Sequence, residues 1–156
     1  MHIEITGGTK LLRQQIESVA RFSADMLMSK RLQKNLWLEF ELTRELYKSE
    51  GNLGDVMWND RNHSPRDYSI RIDITVPRRR ILESVCHEMV HVKQYARNEL
   101  RELTSQKRHR FRGEYYDHDM DYYDEPWEIE AHGREVGLFV RWAEKNKLSK
   151  QKWTQV

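Results

Sequence analysis

The chain has 156 residues, 38% hydrophobic and 33% charged, with a formal net charge of +2 and a single cysteine. That length suits one domain around one core, and no run approaches the ~20 apolar residues of a membrane span. One cysteine, Cys86, excludes an intrachain disulfide, and a charge so near zero gives no whole-molecule field for nucleic acid.

Residues 2–6 alternate and predict a short strand, broken by Gly7-Gly8. Thr9 is the N-cap expected for a helix to about residue 29, with a stripe of Leu12, Ile16, Val19, Ala20, Met26 and Leu27. Residues 35–43 alternate clearly: Leu36, Leu38, Phe40 and Leu42 face one way, and Trp37, Glu39 and Glu41 the other. After a polar connection from Tyr47 to Leu53, residues 54–60 predict a shorter strand and residues 61–66 a turn-rich loop. Residues 68–76 alternate again, with Ile70, Ile72, Ile74 and Val76 on one side, and Pro77 ends that strand.

A helix follows, in which Ile81, Leu82, Val85, Met89 and Val92 recur at three- and four-residue steps. Residues 98–124 are polar and aromatic, too long for an idle connection, and predict a functional loop or a small β-ribbon. The last helix is expected from about Asp124, with Pro126 in its first turn, to about Lys145. Its inner stripe is expected to be Ile129, Gly133, Val136, Val140 and Ala143. The expectation is one α+β domain over residues 1–156, with 145–156 a basic C-terminal tail. Basic runs at Arg78–Arg80 and Lys107–Arg112, and the acidic run Asp117–Glu125, read first as solvated faces. Three arginines at a helix start oppose the macrodipole, and a surface accident is the preferred explanation for them.

Within the middle helix stands His87-Glu88-Met89-Val90-His91, an H-E-x-x-H pentapeptide. Residues four apart on a helix point nearly the same way, so His87 and His91 can hold one metal ion through two imidazoles. Glu88 lies beside them as the general base for an attacking water. This is the zinc-peptidase arrangement. Cys86 points about 100° from His87 and is expected to be a buried structural thiol. A catalytic zinc site needs a third protein ligand, and the last helix offers Glu128, Glu130 and His132. An alternative calcium loop, Asp117-x-Asp119-x-Asp121, lacks the required glycine at Tyr122.

The segment Pro126-Trp-Glu-Ile-Glu-Ala-His-Gly-Arg-Glu135 resembles the E-x-x-A-(D/N) motif of gluzincin-like families, the HtpX-type and ImmA/IrrE-type peptidases. The resemblance implies that Glu128 binds zinc, that Ala131 is the small packing residue and that His132 supports a ligand from behind. Position 132 departs from the pattern, which has Asp or Asn there. The whole also resembles small SprT-like and phage-type metallopeptidases, whose third ligand is a His, so His132 stays open as a ligand. The likeness implies a zincin-like minimal fold. In it an N-terminal helix and a small mixed or antiparallel sheet pack on the H-E-x-x-H helix, and the C-terminal helix supplies the third ligand.

The expected function is a cytoplasmic zinc metalloendopeptidase acting on a protein or peptide substrate, without a membrane partner. The alternatives are a zinc-binding regulatory module with a restricted or vestigial site, and a SprT-like protease recruited to nucleic acid by the basic patches. The expected site is His87, His91 and Glu128 on Zn2+, with Glu88 as base. Tyr122, Tyr123, Tyr116 and Arg134 are candidates for the oxyanion donor. The strand edge Val56–Asp60 is expected to hold substrate by strand addition.

Overall fold

The alternation of residues 35–43 decides the first layer: Leu38, Phe40 and Leu42 are buried while Trp37, Glu39 and Glu41 are exposed. The computed structural model describes residues 1–155. In chain order the elements are β1 (His2–Thr6), α1 (Lys10–Leu27), α2 (Lys30–Gln33), β2 (Trp37–Thr43), α3 (Leu46–Glu50) and β3 (Gly54–Trp58). There follow β4 (Asp67–Asp73), α4 (Arg78–Ala96), β5 (Leu100–Leu103), β6 (Arg108–Phe111), β7 (Glu114–Asp117) and α5 (Pro126–Lys145). The class is mixed α+β.

The main sheet has the order β1-β2-β4-β3. β1, β2 and β4 are parallel, and β3 is antiparallel on the edge. Parallel neighbours need a crossover, and α1 makes the one between β1 and β2. Its start is fixed as expected: Thr9 Oγ1 accepts the Leu12 N–H at 3.2 Å. The turn before it requires glycine, because Gly7 has φ +82° and an added Cβ would lie 2.5 Å from the Leu42 carbonyl oxygen. α1 and α4 cover one face of the sheet. The region 98–124 folds mostly into a second sheet, β5-β6-β7, a three-stranded antiparallel ribbon.

α4 is the centre of the molecule. Every residue from Ile81 to Ala96 is buried, because sheet, α1, α5 and ribbon surround the helix. Its polar residues therefore need partners inside the protein.

Four expectations change. β4 ends at Asp73, before Ile74 and Val76. The buried Asp73 carboxylate accepts the backbone N–H groups of Tyr47 (2.7 Å) and Thr75 (2.8 Å), which turns the chain out of the sheet. Second, the inner face of α5 is Trp127, Ala131, Leu138, Phe139, Trp142 and Ala143. Ile129, Val136 and Val140 face solvent, and nothing lies within 4 Å of a Cβ added at Gly133. Helical periodicity allowed both stripes, and the one carrying two tryptophans and a phenylalanine buries far more apolar area. Third, the arginines at the α4 start are not a surface accident. Arg79 pairs with Glu83 at 2.7 Å and donates to the Thr154 carbonyl at 2.8 Å; Arg80 pairs with Glu135 at 3.1 Å. Such charge-assisted bonds outweigh a macrodipole penalty of a few tenths of a kcal/mol. Fourth, the stretch read as a tail folds back: Thr154 is buried, and Trp153 packs on Phe139 with Arg78 stacked over it.

Candidate metal centre

α4 presents His87 and His91 one turn apart, with their Nε2 atoms 3.1 Å from each other. α5 brings Glu128 across: Oε2 lies 3.2 Å from His87 Nε2 and Oε1 lies 3.2 Å from His91 Nε2. All three residues are buried, and their ligand atoms form one compact group. A tetrahedral site with bonds of ~2.0–2.1 Å has edges of roughly 3.3–3.4 Å, so this triangle has nearly the dimensions of one face.

The hydrogen bonds on the far side of each ring decide its tautomer. His87 Nδ1 lies 2.8 Å from Glu135 Oε2, an acceptor, so Nδ1 carries the proton. His91 Nδ1 lies 2.8 Å from Gln94 Oε1. Gln94 Nε2 donates to the Trp127 carbonyl and to Glu130 Oε2, both at 3.0 Å. The amide oxygen must therefore face His91, and that ring too is protonated at Nδ1. Both Nε2 atoms and a carboxylate then converge on one point, and once those nitrogens give up their protons the arrangement suits a divalent metal ion.

The charges agree. Burial disfavours a charged His87, but Glu128, Glu135 and Glu88 outweigh it and raise its pKa to about 10. His91 is also raised, chiefly by Glu128, against burial. Burial likewise opposes the Glu128 anion, yet the two imidazoles hold its carboxyl far below the usual range. The carboxylates around the two rings favour positive charge at this point.

Glu88 is 4% exposed, and burial pushes its carboxyl up to about 7 despite the opposing effect of His91 and His87. A base works best with a pKa near the operating pH. Its place depends on β3: a Cβ at Gly54 would sit 2.7 Å from Glu88 Oε1. Tyr122, on the short turn before α5, donates its hydroxyl to Glu128 Oε2 at 2.6 Å and lies 3.2 Å from His132 Nε2.

The other sequence candidates fall elsewhere. Glu130 turns away into an ionic cluster with Lys93 (2.6 Å), Arg112 (3.0 Å) and Arg134 (3.0 Å). That contact also occupies Arg134. His132 stacks edge-on against His87 and is within 3.4 Å of Glu135 Oε2, but no group of potential ligands unites it with both His87 and His91 among the described residues. Tyr123 lines the cleft and is largely exposed, while Tyr116 packs on Trp127. Asp117 pairs with Arg108, and Asp121 accepts the Tyr123 N–H, as turn residues do. Cys86 is fully buried, and burial pushes its thiol up to about 12, as suits a structural residue.

Three residues escaped sequence reasoning. Glu135 lies seven residues after Glu128, two turns along the same face, and that spacing was a usable signal. Gln94 follows His91 by three residues, again within reach on a helix. Gly54 gave no signal, since only tertiary packing sets β3 against Glu88. Compared with family models, curated proteins and solved structures, the chain matches none.

Proposed function

We propose that the protein is a zinc-dependent peptidase of zincin-like build, with His87, His91 and Glu128 as the metal ligands. The observation that carries this is the pair of imidazoles whose Nδ1 protons are held by Glu135 and Gln94, so that both Nε2 atoms converge with Glu128. Three nitrogen and oxygen ligands with one position left open are the ligand set of catalytic zinc. When bound, the zinc ion supplies a Lewis acid that polarises a carbonyl and acidifies water.

The remaining chemistry falls to the chain. Glu88 takes a proton from the attacking water on its carboxylate and passes it to the leaving amine. Glu135 and Gln94 hold the two rings in position. Tyr122 offers the phenolic donor nearest the ligands, suited to the oxyanion once it turns from Glu128.

The cleft supports a chain-like substrate. Asp73 N bonds Leu53 O and Asn59 N bonds Asp67 O, both at 2.9 Å, so residues 53, 55, 57 and 59 face β4 in the antiparallel ladder. Gly54, Val56 and Trp58 consequently present their N–H and C=O groups along the free edge, beside Glu88. An extended peptide can add there as a further strand.

The test is metal analysis with a proteolysis assay. Wild type is expected to hold about one zinc per chain and to cut an unfolded casein. Glu88→Gln is expected to keep the zinc and lose ~10²–10⁴-fold in rate. A protein without zinc, or a Gln variant that cuts as fast as wild type, refutes the proposal.

A further inference from the structure

The cleft runs to both sides of Glu88 and Gly54, and its two flanks differ in how their charges are paired. One flank carries Arg80 together with its partner Glu135, and Tyr47 and Tyr123 line it too. The other, a space of about 270 Å³, is lined by Tyr95, Glu102, His109, Glu125 and Trp127.

The ribbon explains this asymmetry. Its register pairs Glu102 with His109 and His109 with Tyr116, and places Arg101, Arg110 and Tyr115 in the adjacent row. Side chains alternate across a strand, so the row with Glu102 and His109 faces the cleft and the arginine row faces away. Arg110 is held there by Asn98 Oδ1 at 3.0 Å, and Arg108 by Asp117.

Two carboxylates on this flank lack a lysine or arginine partner among the described residues. Glu102 accepts only the Tyr95 hydroxyl, at 3.4 Å. Glu125 is half-buried at the start of α5, where burial and the neighbouring Glu128 raise its pKa. Asp55, also on this flank, is taken by Arg71 Nε at 3.0 Å. Burial holds His109 towards its neutral form, so it does not offset the acids. A divalent ion on Glu128 beside Glu88 would leave Glu102 and Glu125 as net negative charge. Tyr95 and Trp127 add aromatic walls, against which a long alkyl stem packs while its charged head reaches the acids.

Resting on the peptidase reading above, we propose that this flank selects a lysine or arginine on the amino side of the scissile bond. The side follows from β3. Antiparallel pairing is the stronger ladder, and a substrate running opposite to β3 lays the residues before the bond against Val56 and Trp58, where Tyr95 and Glu102 lie. Trp58 and Tyr95 are in contact, with ring centroids 4.6 Å apart.

The test uses zinc-loaded protein and a peptide mixture in which lysine, norleucine or glutamate occupies each position in turn, with cuts read by mass spectrometry. A partly exposed ion pair is worth a factor of at most about five, so two carboxylates give roughly tenfold preference for lysine over glutamate before the cut. The double variant Glu102→Gln, Glu125→Gln is expected to lose that preference, and Glu102→Lys with Glu125→Lys to reverse it. The Gln pair, similar in shape, decides if the Lys pair fails to fold. The same peptides, fluorescently labelled, are titrated into zinc-loaded Glu88→Gln protein. Cutting without charge preference, or a preference that survives in the Gln double variant, overturns this inference and leaves the peptidase reading standing. Lysine-selective binding without any cutting by wild type overturns the peptidase reading and keeps the cation-selective pocket. Neither cutting nor charge-dependent binding overturns both.

Discussion

Glu135 offers the sharpest test of the metal centre, because its effect on zinc can be measured without a substrate. It is 6% exposed; Oε2 takes the His87 Nδ1 proton at 2.8 Å and Oε1 takes Arg80 at 3.1 Å. Burial opposes its charge, but His87 and Arg80 lower its pKa, so it is an anion at neutral pH. A hydrogen bond to a charged group is worth about 1.5–3 kcal/mol and a neutral one about 0.5–1.5. Glu135→Gln keeps an acceptor for Nδ1 and loses the charge, a difference of about 1 kcal/mol, or roughly fivefold in zinc affinity. Glu135→Ala removes the acceptor, frees the ring to turn and to change tautomer, and leaves Arg80 facing the site. Removing such a support typically costs ~10–100-fold in metal affinity. The assay is competition with a chromophoric chelator, with circular dichroism to confirm folding. The expected order is wild type, then Gln, then Ala. An Ala variant that holds zinc as tightly as wild type would refute the argument that Glu135 fixes the His87 tautomer.

Gly54→Ala is expected to keep zinc and lose peptidase rate by an amount approaching the ~10²–10⁴-fold worth of a general base, since the new Cβ would lie 2.7 Å from Glu88 Oε1; an unchanged rate sinks the placement of Glu88. Gly133→Ala and Gly137→Ala meet no atom within 4 Å and are each expected to stabilise α5 by about 1 kcal/mol, read as a rise in the urea midpoint; a loss of stability would mean that this face is covered. In chelator-stripped protein the raised His87 contributes stability that is complete below its ordinary pKa of 6.5 and is lost as pH rises toward about 10. Its thermal midpoint should therefore fall across that window while the zinc-loaded protein holds, and parallel curves for the two forms would contradict the assignment.

Local pattern in the sequence determined much of this molecule. Period-2 alternation marked β2, and Thr9 marked the α1 start, because the backbone of one segment sets both. The i, i+4 spacing of His87 and His91 put two imidazoles on one helix face, which needs only helix geometry. Tertiary structure decided which of two apolar stripes of α5 turns inward, because both satisfy the same period and only the aromatic bulk of Trp127, Phe139 and Trp142 against α1 and α4 separates them. That rotation brings Glu128 and Glu135 to the histidines of α4 and sends Glu130 to Lys93, further along the same helix, a choice the spacing alone left open. It also takes packing to set Gly54 against Glu88 and to turn Glu102 toward the cleft, since these residues lie far apart in the chain and meet only where a sheet edge and a ribbon face the same helix.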